Sequence, residues 1–280
     1  MRTLKIVSQQ VSALFEQEAR PENQMRYDPE LWNYYPQLRS RAGCEQETRY
    51  VYDLCRLADF DPEGKRVLDA GCGLGLQLIV LHLMGASEAH GFDISESRLT
   101  TFQRLIEGFQ LRGVHAQLAS LEAVDYAPES FDMIVSNEAI SHYSDVDRFL
   151  ERAARWLRRG EVLIIADGNN GANPRLVEMT RPIILQAVEH YLKTDTPPTA
   201  LYAPTQCPVN PCSGAVLERL FHPMELAHHL KQFGFRTRAY AYFGGAGGNP
   251  VVRLANALLM RLTPLTLRWA KSFRVVAVRV

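Results

Sequence analysis

The chain has 280 residues, with 31 Lys+Arg against 31 Asp+Glu and 46% hydrophobic residues. That length and composition can bury one sizeable core with insertions, rather than two equal domains, and a neutral chain without a Lys/Arg block argues against nucleic acid as a partner. Residues 1–10 lack the apolar core of a signal peptide, no apolar run reaches the ~18 residues of a membrane span, and the five scattered cysteines suit a reducing compartment, so a cytoplasmic location without a transmembrane segment is expected.

Residues 1–44 read as an N-terminal helical cap, charged and aromatic, with Tyr27, Trp32, Tyr34 and Tyr35 close together. From Lys65 onward strands and helices alternate, which predicts an α/β fold with a Rossmann-like, mostly parallel sheet flanked by helices. The first strand covers 66–70, and a helix over 76–84 follows the turn Gly71-Cys72-Gly73-Leu74-Gly75. The second strand, 88–93, ends in Gly91-Phe92-Asp93, and Ser95 is placed to cap a helix running toward 110. Strands at 114–118 and 131–136 come next, then a helix over 146–157 signalled by Asp145 and a strand over 161–166. Residues 171–221 hold a helical stretch near 175–192 and a Pro-rich loop at 196–211. A helix over 222–233 stops at Gly234, a glycine in the position that ends helices, and a strand over 235–243 follows. The insertion at 244–272 opens with a glycine run and separates that strand from the last, 273–280, which makes seven strands in all.

The most informative segment is the glycine turn together with Asp93. Glycines let the backbone turn sharply and approach a ligand where a Cβ would collide, and an acid at the end of the second strand suits the two hydroxyls of a ribose. A dinucleotide fingerprint reads G-x-G-x-x-G, whereas these glycines fall as G-x-G-x-G, with Asp69 two places before the first. A carboxylate there would repel a pyrophosphate and suits a cationic ligand such as an amino acid carrying a sulfonium.

Asp69-Ala70-Gly71-Cys72-Gly73-Leu74-Gly75 resembles the first motif of the class I S-adenosylmethionine (SAM) dependent methyltransferases, and Asp93 matches that family's ribose-binding acid. Further stretches resemble the same family in order: residues 130–137 its fourth-strand motif, Trp156-Leu157-Arg158-Arg159-Gly160 the turn that usually reads L-K-P-G-G, and residues 222–226 with Phe233-Gly234-Phe235 its late helix-to-strand passage. The resemblance covers about residues 45–243 and the last strand, and is nearest to the small-molecule, ubiquinone-biosynthesis-like group.

It implies SAM as cofactor and S-adenosylhomocysteine (SAH) as product. Asp69 is then expected to hold the methionine ammonium, Gly71, Cys72 and Gly73 to let the backbone approach, and Asp93 to take the ribose. Ile94 is expected against an adenine face, Ser120 and the Leu121 N–H at the adenine edge, where the family has an acid instead of Ser120, and Asn137 beside the methionine part. Methyl transfer needs a base only when the acceptor must lose a proton; His142 is the candidate, although relatives use a histidine here for packing. Glu138 stands four residues before His142 as a metal ligand would, but Ser141 replaces the further acid that metal-using relatives carry, so no metal is expected. Tyr34, Glu138, His190 and Tyr191 are expected to line the substrate site, with residues 1–44 and 171–221 as its lid.

His222, His228 and His229 read as capping or solvent-facing residues, and Cys207 and Cys212 as free thiols. The run 251–269, apolar with interleaved Arg253, Arg261 and Arg268, reads as a helix packed on its own domain, a membrane-surface helix or a homodimer surface. The expected activity is O-methylation of a small or medium-sized organic acceptor, aromatic or natural-product-like. The alternatives are N- or C-methylation, a SAM-binding role without transfer (cyclase-like or regulatory), and a nicotinamide-dependent oxidoreductase.

Overall fold

The computed structural model describes residues 2–20, 29–168, 221–243, 250–263, 265–270 and 272–280. The stretches expected at 175–192 and 196–211, the glycine run at 244–248, and Tyr27, His190, Tyr191, Cys207 and Cys212 lie outside the described residues. The strands are β1 (Arg66–Ala70), β2 (Glu88–Asp93), β3 (Val114–Leu118), β4 (Phe131–Asn137), β5 (Leu157–Gly168), β6 (Phe235–Tyr242) and β7 (Ser272–Arg279). They form one seven-stranded sheet in the order β3-β2-β1-β4-β5-β7-β6. The chain divides into two compact units, Met1–Ser136 with Trp156–Val162, and Asn137–Arg155 with Leu163–Val280.

In the first unit β1 pairs in parallel with β2 and with β4, and β2 with β3. The chain therefore steps outward from β1 through β2 to β3, then returns to the other side of β1. Such a reversal opens a crevice beyond the carboxyl ends of the strands, where α/β proteins bind ligands. Helix α1 (Leu4–Glu18) is followed by α2 (Pro29–Tyr34), α3 (Arg41–Leu57), α4 (Leu76–Met84) and α5 (Glu96–Gly108). Helix α4 is apolar nearly all round, and the reason is its position: it packs on β1 and β2 on one side and on α1 and α3 on the other. Leu78, Ile79 and Val80 are accordingly fully buried, as are Val7 and Val11 of α1. The Arg2 guanidinium donates to the Leu83 carbonyl at 3.2 Å, which serves an orphan acceptor in the last turn of α4.

In the second unit, Asp145 Oδ1 accepts the Arg148 N–H at 2.9 Å and so caps α6 (Val146–Trp156), as its position in the sequence predicts. Phe149, Leu150 and Ala153 of α6 are fully buried, as are Leu163 to Ala166 of β5. Strands β6 and β7 pair antiparallel from Phe235↔Arg279 to Tyr242↔Ser272. Helix α7 (Pro223–His229) packs on β6, and α8 (Pro250–Arg261) lies beside the same strand.

Two expected boundaries move. The turn read over 156–160 is absorbed into β5, which begins at Leu157. It is drawn straight by the Ser130 N–H donating to the Trp156 carbonyl at 2.8 Å, and by Arg158, which donates to the Glu129 carbonyl and pairs with the buried Asp132. The helix expected over 222–233 becomes α7 followed by a 3-10 turn, Leu230–Phe233, that tightens its end before left-handed Gly234 at φ 81°.

Candidate functional site

The glycine turn carries β1 into α4, and its backbone donors are turned inward. The Gly71 and Cys72 N–H groups both donate to the Phe92 carbonyl, at 2.9 and 3.0 Å, and the Gly75 N–H donates to the Cys72 carbonyl at 2.8 Å. The Gly73 N–H donates to Asp93 Oδ2 at 2.8 Å. A phosphate cradle needs these donors pointing at the ligand, so the turn is built against a pyrophosphate. Two of its glycines do different things. A Cβ on Gly75, at φ 73°, would stand 2.1 Å from the ring of fully buried Phe102, so this position is closed by packing. At Gly73, φ 51°, the nearest atom is Arg98 Cδ at 3.9 Å, so the turn is open there.

Asp69 is the electrostatic centre of this unit. It is 1% exposed, and Oδ1 has no hydrogen-bond partner. Burial first, then the charge of Asp93, pushes its carboxyl up to about 8. A buried carboxylate with an unused oxygen is costly unless a cation or a proton meets it. The donor set around it therefore fits a ligand that carries a positive charge. Asp93 is differently employed: Oδ2 takes the Gly73 N–H, and Oδ1 takes the Ser95 N–H at 2.9 Å. Each oxygen retains a second acceptor direction, so a fixed carboxylate faces the turn as an acceptor for ligand hydroxyls. Cys72 contributes volume. Its Sγ fills the space over Gly91, at 2.7 Å from where a Cβ would stand, and burial raises its thiol well above the ordinary range, which removes it as a nucleophile.

The rim of the turn comes from β2, β3 and α2. Ile94 is 74% exposed, a large apolar side chain left open immediately beyond Asp93. The Ala119 N–H donates to the Asp93 carbonyl at 3.1 Å, which brings the segment after β3 alongside. There the Ser120 carbonyl accepts from Ala123 and Val124 at 3.1 and 2.9 Å, and Leu121 is buried. The Arg98 guanidinium lies 5.2 Å from the Tyr34 ring centre, while the stem of the same side chain passes over Gly73. In the first unit Asp69, Gly71, Cys72, Gly73, Asp93 and Ile94 thus lie at the carboxyl ends of β1 and β2, with Ser120 and Leu121 in the segment tied to Asp93 and Tyr34 reached through Arg98. Sequence reading missed Arg98 and Phe102. Both are ordinary residues of an amphipathic helix, and only their neighbours across space single them out.

The second unit holds the remaining candidates. Asn137 ends β4, and Glu138 follows in the left-handed region at φ 52°, its N–H donating to the Ala166 carbonyl at 2.8 Å. A 3-10 turn, Ile140–His142, comes next, and both Glu138 and His142 are exposed. The pair expected to stack one helical turn apart is not on one helix, because the left-handed residue swings the chain off β4 before the turn begins. The turn is pinned by Asp167, 2% exposed, whose Oδ2 accepts the Ser141 N–H at 3.1 Å. Asp167 was not foreseen, although an acid at the carboxyl end of a buried strand is a readable signal. Among the described residues no group of three or more His, Cys, Asp or Glu could hold a metal ion.

Comparison with known proteins gives a consistent result. The model of a family described as "Methyltransferase domain" matches residues 61–204. A ubiquinone biosynthesis O-methyltransferase of Sinorhizobium medicae is 36% identical over 107 residues, 38% of this chain and 42% of that protein. Methyltransferase GfsG of Streptomyces halstedii is 30% identical over 167 residues, 57% of this chain and 58% of that protein. The chain thus spans about half the length of these curated relatives. Among solved structures, an S-adenosylmethionine dependent methyltransferase from Mesorhizobium loti aligns with a TM-score of 0.55 at 19% identity, over 84% of this chain and 98% of that one. A geranyl diphosphate methyltransferase in complex with GPP and sinefungin gives 0.57 at 13% identity, over 86% and 81%. At these identities the structures establish the shared fold.

Proposed function

The chain belongs to the methyltransferase domain family, and from that premise we propose that it transfers the methyl group of SAM to an oxygen of a small or medium-sized organic acceptor, with SAH as the other product. The observation that carries the cofactor reading is Asp69, a fully buried carboxylate with an unmatched oxygen, set behind a turn whose donors face inward. SAM fits this donor set: it brings two cationic groups and a nucleoside, and no phosphate. The oxygen acceptor is supported by relatives whose names describe O-methyltransferases of ubiquinone biosynthesis.

When bound, SAM would supply a methyl group already activated by its sulfonium leaving group. Asp69 would hold the ammonium of the methionine part, and the charge met there would keep the carboxyl ionised. Gly71, Cys72 and Gly73 would form the floor, Asp93 would accept from the ribose hydroxyls, and Ile94 would cover one adenine face. Ser120 and the Leu121 backbone would meet the adenine edge, and Asn137 is assigned to the methionine part. His142 accepts the proton that a hydroxyl acceptor loses, a role imidazole suits near neutral pH. Of the described residues, Tyr34 and Glu138 are assigned to the acceptor. Because the sulfonium does most of the activation, the main task of these residues is alignment and exclusion of water.

Calorimetry with SAM, SAH and NAD tests the cofactor, with SAM and SAH expected to bind and NAD not. NAD binding without SAM binding overturns the proposal. Incubation with methyl-labelled SAM and a panel of phenols, carboxylic acids and amines, followed by mass spectrometry, tests the acceptor. Label appearing on amines alone refutes the oxygen assignment.

A further inference from the structure

Helix α8 turns its apolar side away from its own fold. Val251, Leu254, Leu258, Leu262 and Leu265 are each between 51% and 73% exposed. The spacing of three and four residues sets Val251, Leu254 and Leu258 on a single stripe of the helix, and Leu262 and Leu265 follow it in the turns beyond Arg261. The less exposed positions of α8 are Arg253, Asn256, Leu259 and Met260, on the side toward β6, against which the helix packs. Polar ties hold this orientation: the Ala241 N–H donates to Thr263 Oγ1, and Thr266 Oγ1 donates to the Leu259 carbonyl, both at 2.8 Å. Exposed leucines normally occur singly; a contiguous stripe marks an interaction surface.

The charge around the stripe narrows its partner. The whole chain is neutral, yet residues 226–280 contain nine Lys/Arg and no Asp/Glu. This asymmetry is invisible in the overall composition. The charges of α8 itself are Arg253 and Arg261, and exposed Arg261 borders the stripe. A second copy meeting this face would bring arginine toward arginine with no acid of the surrounding segment to offset it. An anionic phospholipid surface satisfies both features at once, since acyl chains accept the leucines and phosphates accept the guanidinium. Trp269, in the 3-10 turn that follows, is also exposed, and is a residue suited to a bilayer interface. No helix among the described residues is long and apolar enough to cross a membrane, so the contact is peripheral. We propose that α8 docks on the surface of an anionic phospholipid bilayer, its leucine stripe among the acyl chains and Arg261 at the headgroups. The inference uses no residue of the cofactor turn and stands whether or not the SAM reading holds.

Sedimentation of the full chain with vesicles tests it. Binding is expected to vesicles of phosphatidylcholine mixed with phosphatidylglycerol, to weaken as salt is raised, and to be slight with phosphatidylcholine alone. The double variant Leu254→Glu/Leu258→Glu is expected to lose binding, and Arg261→Gln to reduce it about fivefold, with circular dichroism and thermal melting unchanged because these side chains are exposed. No pelleting with phosphatidylglycerol vesicles overturns the proposal, as does pelleting that the double variant retains. A dimer in sedimentation velocity that the double variant breaks, without vesicle binding, assigns the stripe to a second copy instead.

Discussion

The glycine turn after β1 and the loop after β4 each leave the end of a strand, yet they are held in place differently. In the turn, the Gly71, Cys72, Gly73 and Gly75 N–H groups are consumed by Phe92, Asp93 and the turn itself. The loop is held by the buried Asp167 through Ser141, and by the Glu138 N–H on Ala166, while His142 and Glu138 stay exposed. The turn constrains the backbone so tightly that few residue types can occupy it. The loop is constrained at its anchor points, and the side chains of Glu138 and His142 stand exposed between them. A cofactor common to many enzymes suits the first construction, and an acceptor particular to one suits the second.

The sharpest way to break this contrast is Asp69→Asn. SAM affinity is expected to fall roughly 100- to 1000-fold in calorimetry, because a ligand cation loses its buried carboxylate. Stability should move the other way. The folded carboxyl titrates at about 8, far above its unfolded value, so the folded state holds a proton that the unfolded chain has released. Wild-type stability is therefore lost as pH rises between the unfolded and folded values, and the Asn variant should not share that loss. Urea unfolding of the ligand-free protein at pH 5 and pH 9 measures it; equal pH dependence in both proteins removes Asp69 as the cause.

Next in size is Gly75→Ala, which drives a Cβ into the Phe102 ring at positive φ and should cost about 3 kcal/mol of stability. His142→Gln tests the loop: turnover should drop about 100-fold with SAM affinity unchanged, and full turnover would reduce the loop to positioning. Comparable in size across pH 6 to 8 is the pH dependence of SAM binding itself. Because ligand and proton compete for Asp69, affinity should strengthen with rising pH by up to about tenfold per unit below about 8, then level off. Affinity that is flat from pH 6 to 9 would mean that the ligand leaves Asp69 alone. The smallest is Gly73→Ala, where only the Arg98 stem is near, so stability should fall by about 1 kcal/mol. If it matches Gly75→Ala in thermal melting, the distinction between the open and closed glycine is wrong.

The amino-acid sequence by itself determined the strands of the first unit, the helix after the glycine turn and the acid at the end of β2. These features are written in local pattern: alternation, a cap such as Ser95, and glycines where φ must be positive. It also carried the resemblance from which a SAM site is expected, since Asp69 and the glycine spacing are short-range. Tertiary structure alone decided that the donors of the turn face inward, that Asp69 is left with an unmatched oxygen, and that Arg98 reaches Tyr34 across Gly73. It also decided that Glu138 and His142 leave a common helix and that Asp167 holds their loop. The outward stripe of α8 belongs here too, because an apolar helical period reads the same whether it faces a core or a lipid surface. Each of these depends on which groups meet across long stretches of chain, and that is settled by packing and by where water is excluded, neither of which leaves a local trace.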